Sequence, residues 1–429
     1  MLSGGEMHWN LAFAGIILYA FIEYSRLPEM YPVFQSFQLG KAAMILAVLG
    51  YVVNPRIRAN GPSPSKGLDL AVLVFVLGNL LSACFASQRD QVWNGFLDVL
   101  IWGVIYFLMT RVLVSSWQVR VFLFLVFLLN LKLAQHTVRE YFLDRSMGIP
   151  DMQIIMRGGA GEGTSSFFGN VADLGLAMAV VWGIVWALLL GKAEKKKLAR
   201  IFLIVCFCVF FLAILFCGSR GAVLGAAAIA LVALAKSPKK LGAIFLALVF
   251  VLGVWFILPG ASKERFKSAW NWQHDANAAS RVMFWKAGLV MFEENPILGV
   301  GPGNFSVMNP THFVSHSLYI QVLAESGAVG TIALVVILVL FFRLNARTRK
   351  RALASRSAGR QSFEYCMAFG LDLALVGYLT SGAFLSVLYY PHLWILLGLS
   401  VAANRCLANK EPEEQSVAKR SRTFALATS

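Results

Sequence analysis

Three short stretches hold the side chains best suited to chemistry. Gly218-Ser219-Arg220-Gly221 is a turn that sets one Arg between two apolar segments. Ser280-Arg281-Val282-Met283-Phe284-Trp285 reads as helix with Ser280 as its cap, and Pro296 in Glu293-Glu294-Asn295-Pro296 ends it. His316-Ser317-Leu318-Tyr319 runs through Ala324-Glu325-Ser326-Gly327 into another apolar segment. His is the side chain whose unperturbed pKa, about 6.5, suits general-base work near neutral pH. Arg stays charged, and its planar fork binds phosphate oxygens in pairs. A His with two Arg therefore suits deprotonation of a hydroxyl while a phosphate leaving group takes up charge. His312, four residues before His316, competes for the role of base.

Each of these residues also has a plainer reading. An Arg at a membrane boundary can serve as a headgroup anchor, and Lys286 and Glu293 would make Arg281 part of a solvated helix face. His316 also fits a structural hydrogen bond. Trp270, Trp272 and Trp285 fit interface packing as well as sugar stacking. No Asp-x-Asp or His-x-x-Glu set stands in the long loops, so no metal site and no cofactor is expected. The glycines of Gly299-Val300-Gly301-Pro302-Gly303 neither follow a strand nor open a helix, and there is no P-loop.

The elements that must carry these residues are membrane spans. Of 429 residues, 58% are hydrophobic and 14% charged, against about 25% charged in a soluble domain. Mean hydropathy is +0.68. Apolar stretches at 9–22, 39–53, 68–85, 96–110, 119–134, 171–190, 201–217, 221–235, 241–259, 328–342, 366–388 and 393–406 predict an all-α polytopic membrane protein of about twelve helices. The transmembrane unit covers 1–408, with a retained first span, and a polar, disordered cytoplasmic tail fills 409–429. Two loops on one side are long enough to hold a site: 135–170, and 260–315 with short helices and the donor-binding or catalytic elements.

The net charge of +16 would suggest nucleic acid in a soluble chain, but here topology accounts for it. Loops and termini on one side carry 25 Lys and Arg against 6 acids, whereas the opposite loops carry 11 of each. The basic side is the cytoplasm by the positive-inside rule, both termini lie on it, and no nucleic-acid partner is implied. Lys195-Lys196-Lys197 and Arg349-Lys350-Arg351 face anionic membrane lipid. Chemistry then falls on the opposite face. Asp69, Asp98, Asp173 and Asp372 lie within spans, mostly near their ends, and argue only weakly for a proton path. Cys84 and Cys217 approach the same face and are the pair that topology would allow to bridge.

A helix from 316 to 342 would be about 40 Å long against about 30 Å of hydrocarbon, which lifts His316 to headgroup level. On that helix Tyr319 shares a face with His316 and could orient it or line the site. Glu325 stands about 180° away, placed to pair with an Arg or to cap backbone.

In this order, the Ser-Arg-Gly turn, the Arg281-x-x-x-Trp285 helix with its Pro and glycine exit, and the His316-Ser-x-Tyr319…Glu325-x-Gly segment resemble the O-antigen ligase family of bacterial membrane glycosyltransferases. The stretch Phe168-Gly169-Asn170-Val171-Ala172-Asp173 is similar to a Gly-Asn segment that opens a span in that family. The resemblance implies a GT-C-like bundle and an inverting, metal-independent enzyme of the bacterial inner membrane whose site faces the periplasm. The donor implied is an undecaprenyl-diphosphate-linked glycan, and the acceptor is the lipid A core of lipopolysaccharide or another glycan or protein. His316 would be the catalytic base, with Arg220, Arg281, Trp285, Tyr319, Glu325 and His312 binding substrate. Within the superfamily, a repeat-unit polymerase and a protein O-oligosaccharyltransferase share the donor chemistry. A polysaccharide or lipid transporter is the competing reading from another class.

Overall fold

In the computed structural model of the chain the described residues are 9–25, 27, 31–34, 37–55, 63–89, 91–150, 153, 170–236, 255–256, 260–268, 276–354 and 361–427. They form fourteen helices and one 3-10 turn, with no strand among them. In chain order the helices are α1 (Leu11–Ser25), α2 (Leu39–Val53), α3 (Lys66–Phe85), α4 (Val92–Val112), α5 (Ser116–Ser146), α6 (Val171–Leu190) and α7 (Lys197–Phe216). Then follow α8 (Arg220–Ala235), α9 (Gly260–Ser268), α10 (Ala276–Glu294), α11 (Phe305–Met308), α12 (Leu318–Ala354), α13 (Phe363–Gly382) and α14 (Pro391–Ala427).

Seven of the described helices, α3 to α7, α12 and α13, are long and apolar enough to cross a membrane. α1, α2 and α8 are apolar but shorter, at 15 or 16 residues. At 1.5 Å per residue these cover about 23 Å of a roughly 30 Å hydrocarbon layer, so the expected twelve full spans are met as a polytopic class rather than as a count. The stretch 241–259 falls almost wholly outside the described residues. The chain is a multi-pass membrane protein.

One apolar core runs through the bundle. α6 sits at its centre and packs on α13, α7 and α8, while α12 packs on α3 and α13. Trp182 of α6 and Trp394 of α14 are buried in that core, and α6 is enclosed nearly all round. Such a helix is apolar on every face because every face meets protein. Two carboxylates inside the bundle are paired: Asp372 with Arg349 and Asn345, and Asp69 with Tyr106 at 2.7 Å. These ties account for two of the in-span carboxylates without a proton path.

Three helix ends differ from those read off the sequence, and the cysteine pair left open there is placed. The loop expected from 135 begins later, because α5 stays helical to Ser146, where Tyr141 stacks on Phe216 at 4.3 Å. The tail expected to be disordered from 409 continues α14 to Ala427. Its Ala, Glu, Gln, Lys and Arg are good helix formers, and the buried stretch before it supplies the costly nucleus. The span expected over 366–388 ends at Gly382, so 383–390 form a connection. Cys84 and Cys217 are both free; Cys217 is buried, and its thiol donates to the Ile214 carbonyl.

Candidate active site

The helix start at α8 fixes the first cation. Gly218 turns the chain at φ 74°, Ser219 caps the helix by accepting from the Ala222 N–H at 3.3 Å, and Arg220 is its first residue. The Gly221 carbonyl accepts from the Ser381 hydroxyl of α13 at 3.1 Å, which pins this turn to the bundle. α6 opens in the same way, Asn170 accepting from the Ala172 N–H at 2.8 Å. The second cation, Arg281, lies in the second turn of α10, 6.0 Å from the Phe384 ring.

His316 does not begin a helix. It sits at φ 49° just before α12, whose first turn is capped by Ser317. The 383–390 connection holds it: the Ser386 hydroxyl accepts from the His316 N–H at 2.9 Å and lies 2.8 Å from the Ser315 hydroxyl. The imidazole is half-buried, 5.7 Å from the Phe284 ring of α10. Burial pushes its pKa below the usual histidine range, and the Arg281 guanidinium pushes it down further. The ring is therefore neutral at pH 7, as a proton acceptor must be.

These pieces converge. A cavity of about 150 Å³ is lined by Arg220, Arg281 and His316, with Asn170, Ser219 and Phe384 among its other walls. That volume corresponds to about five waters, the scale of a phosphate group rather than a glycan. The N-termini of α6 and α8 both border it, and helix N-termini carry partial positive charge and open N–H groups. Two guanidiniums and two helix N-termini give the cavity a positively charged lining, with the imidazole in its wall.

The other candidates stand apart. His312 is exposed and borders no part of the cavity; its Nδ1 lies 3.2 Å from the Ser306 carbonyl. Tyr319 reaches from α12 to α13, where its hydroxyl donates to the Leu379 carbonyl at 3.0 Å. Trp285 is half-buried on α10, outside the cavity lining. Trp270 and Trp272 lie outside the described residues.

Glu325, expected among the substrate-binding residues, is buried and outside the lining. It accepts from the Tyr389 hydroxyl at 2.5 Å, the Phe305 N–H at 3.2 Å and Gln321 at 3.4 Å. Of the two roles foreseen for it, pairing with an Arg or capping backbone, it does the second.

The reason lies in a break that the single-helix expectation missed. Gly327 interrupts α12 at φ 60° and ψ −158°, and the glycine turn enters the gap. Gly301 N–H donates to the Glu325 carbonyl at 3.0 Å, Val300 N–H to the Ala324 carbonyl at 2.9 Å, and Ala328 N–H to the Pro296 carbonyl at 2.8 Å. A Cβ on Gly327 would stand 2.5 Å from the Ile297 carbonyl oxygen, in a region that other residues enter at a cost of about 1–3 kcal/mol. Gly327→Ala is accordingly expected to lower the unfolding midpoint of the purified protein by several degrees and to cut its yield.

Residues 204–335 match the O-antigen ligase family. All seven residues singled out from the sequence fall inside the stretch matched by that family's model, from Arg220 to Glu325. The match supports assignment to the O-antigen ligase family and, with the apolar helices, a membrane enzyme of the O-antigen ligase or polymerase kind. Such enzymes act on lipid-linked glycans and acceptors. No match to a curated protein was found. The sequence had pointed to neither Phe384 nor Ser386, which an apolar run concealed; Gly382 and Pro391 on either side were the available signals of a connection.

Proposed function

We propose that this O-antigen ligase-like protein moves a preassembled glycan from undecaprenyl diphosphate to an acceptor hydroxyl at the periplasmic face of the bacterial inner membrane, the lipid A core being the acceptor. Both termini are then cytoplasmic, and the helices form a GT-C-like bundle. His316 removes the acceptor proton as the oxygen attacks the anomeric carbon. The bond from that carbon to the diphosphate breaks, with inversion. Arg220, Arg281 and the ends of α6 and α8 take up the charge gathering on the leaving diphosphate. The observation that carries the reading is the meeting of these two Arg and His316 around one phosphate-sized cavity.

A deletion strain complemented with the wild-type gene tests it. Loss of attached glycan on lipopolysaccharide, restored by the gene, is the expected banding. Attached ladders of shortened length would replace ligation by polymerisation of repeat units, and normal lipopolysaccharide with altered glycoprotein would move the acceptor to protein. Flux of an unmodified lipid-linked glycan through vesicles of the purified protein would instead revive the transporter. The reading uses cations from the chain alone, so transfer by purified protein is expected to persist in excess chelator. Collapse of the rate there, restored by a divalent ion, would refute a metal-free mechanism.

A further inference from the structure

A second and larger cavity, about 410 Å³, opens at the same end of the bundle. It lies among the last turn of α1, the first turns of α2 and α6, the outward half of α4 and the residues leading into α14. The two cavities share walls. Residues 170–172 line the first and Asp173 the second; Phe384 and Leu385 line the first and Tyr389 and Tyr390 the second. Their chemistry is opposite. The small cavity holds two Arg, whereas the large one holds Glu23, Asp98 and Asp173 against Lys41, a formal balance of −2.

Aromatic rings complete the second cavity, and they are held in place. Trp102 donates its indole N–H to the Tyr389 carbonyl at 2.7 Å and meets Tyr19 edge-on at 5.9 Å. The Tyr390 hydroxyl donates to Asp173 at 2.9 Å, and Tyr389 is fixed by its bond to Glu325. Its volume falls within the roughly 300–1,000 Å³ typical of small-molecule sites. Carboxylates that only accept suit a ligand rich in hydroxyl donors, and rigid aromatic faces suit one with C–H faces. A sugar ring has both. A phosphate has neither, and three carboxylates repel it. None of the residues lining this cavity falls within 204–335, so the family match leaves it without an assigned role.

We infer that this cavity is a sugar subsite, taking a neutral or amine-bearing sugar residue of the glycan substrates beside the diphosphate cavity. The inference rests on the transfer reading for its place in a reaction, though not for the binding itself. The sugar belongs either to the donor, next to its diphosphate, or to the end of the acceptor. The chemistry is the same in both, and kinetics separates them.

The test uses full-length protein in lipid nanodiscs and saturation-transfer NMR with glucose, glucosamine and glucuronate as probes. Glucose and glucosamine are expected to bind with dissociation constants in the millimolar range, and glucuronate about tenfold more weakly. Asp98→Asn and Glu23→Gln, both isosteric, are expected to weaken glucosamine about tenfold, while His316→Asn leaves its binding within twofold. Equal binding of all three sugars, or binding untouched by both carboxamide variants at unchanged unfolding temperature, overturns the subsite. In transfer assays, a raised KM for the acceptor at constant kcat assigns the cavity to the acceptor, and a raised KM for the donor assigns it to the donor. Neither changing overturns its part in the reaction. Transfer retained by His316→Asn would sink the catalytic reading while leaving the binding result intact.

Discussion

His316→Asn is expected to lose about 10²- to 10⁴-fold in transfer rate while folding and inserting normally, an effect of about 3–5 kcal/mol on the barrier. Asn is the informative replacement because His316 sits at φ 49°, where Asn is tolerated and β-branched residues are strained. The backbone contact that locates this residue, its N–H to the Ser386 hydroxyl, does not involve the ring and survives the change. His316→Ala should show the same loss with a slightly larger stability penalty, because Ala enters the left-handed region less readily than His or Asn. His312→Asn is the matched control. His312 also has a positive φ, 58°, but its ring is exposed and outside the cavity, so its variant should keep transfer within about threefold. Ligated product scored per molecule of protein in membranes decides the matter. Near wild-type ligation by His316→Asn, or equal losses from the two variants, would remove His316 from the role of base.

The sequence was legible where hydropathy and helix signals agree with burial. α2 and α6 have the ends read from the sequence, because an apolar run stops where the chain leaves the bundle. Arg220, Arg281 and His316 stood out for another reason: each is a charged or titratable group beside an apolar segment, and the fold brings all three to one cavity. What was hidden is what tertiary contacts decide. Gly327 in Glu-Ser-Gly reads as a tolerable helix glycine until the 296–301 turn inserts against it, and only then does Glu325 become a tie between the turn and Tyr389. Ser386 lies in a run apolar enough to continue α13, yet the helix stops at Gly382 and frees 383–390 to hold His316. The carboxylates of the larger cavity come from α1, α4 and α6, too far apart in sequence for any spacing to announce them.

Arg281→Ala should do two things that Arg220→Ala does not do together. Both variants are expected to lose about 10²-fold or more in transfer, since each removes a charged partner of the leaving diphosphate from a small cavity. Arg281 also acts on the base. After burial, its positive charge lowers the His316 pKa, because it disfavours a second cation beside it. General-base transfer requires neutral imidazole, so the rate falls as pH drops through the His316 pKa, and a lowered pKa carries activity to more acidic pH. Removing Arg281 lifts the pKa back toward the ordinary histidine range, and the acid limb of kcat against pH must then move to higher pH. Arg281→Lys keeps the charge and loses the fork, so it should keep the limb in place while weakening the hold on the diphosphate. Arg220→Ala should lower the plateau with the limb unmoved. A pH series on the three variants separates charge at the phosphate from charge at the base. An acid limb that stays fixed in Arg281→Ala would mean that the titrating group is not the imidazole beside Arg281.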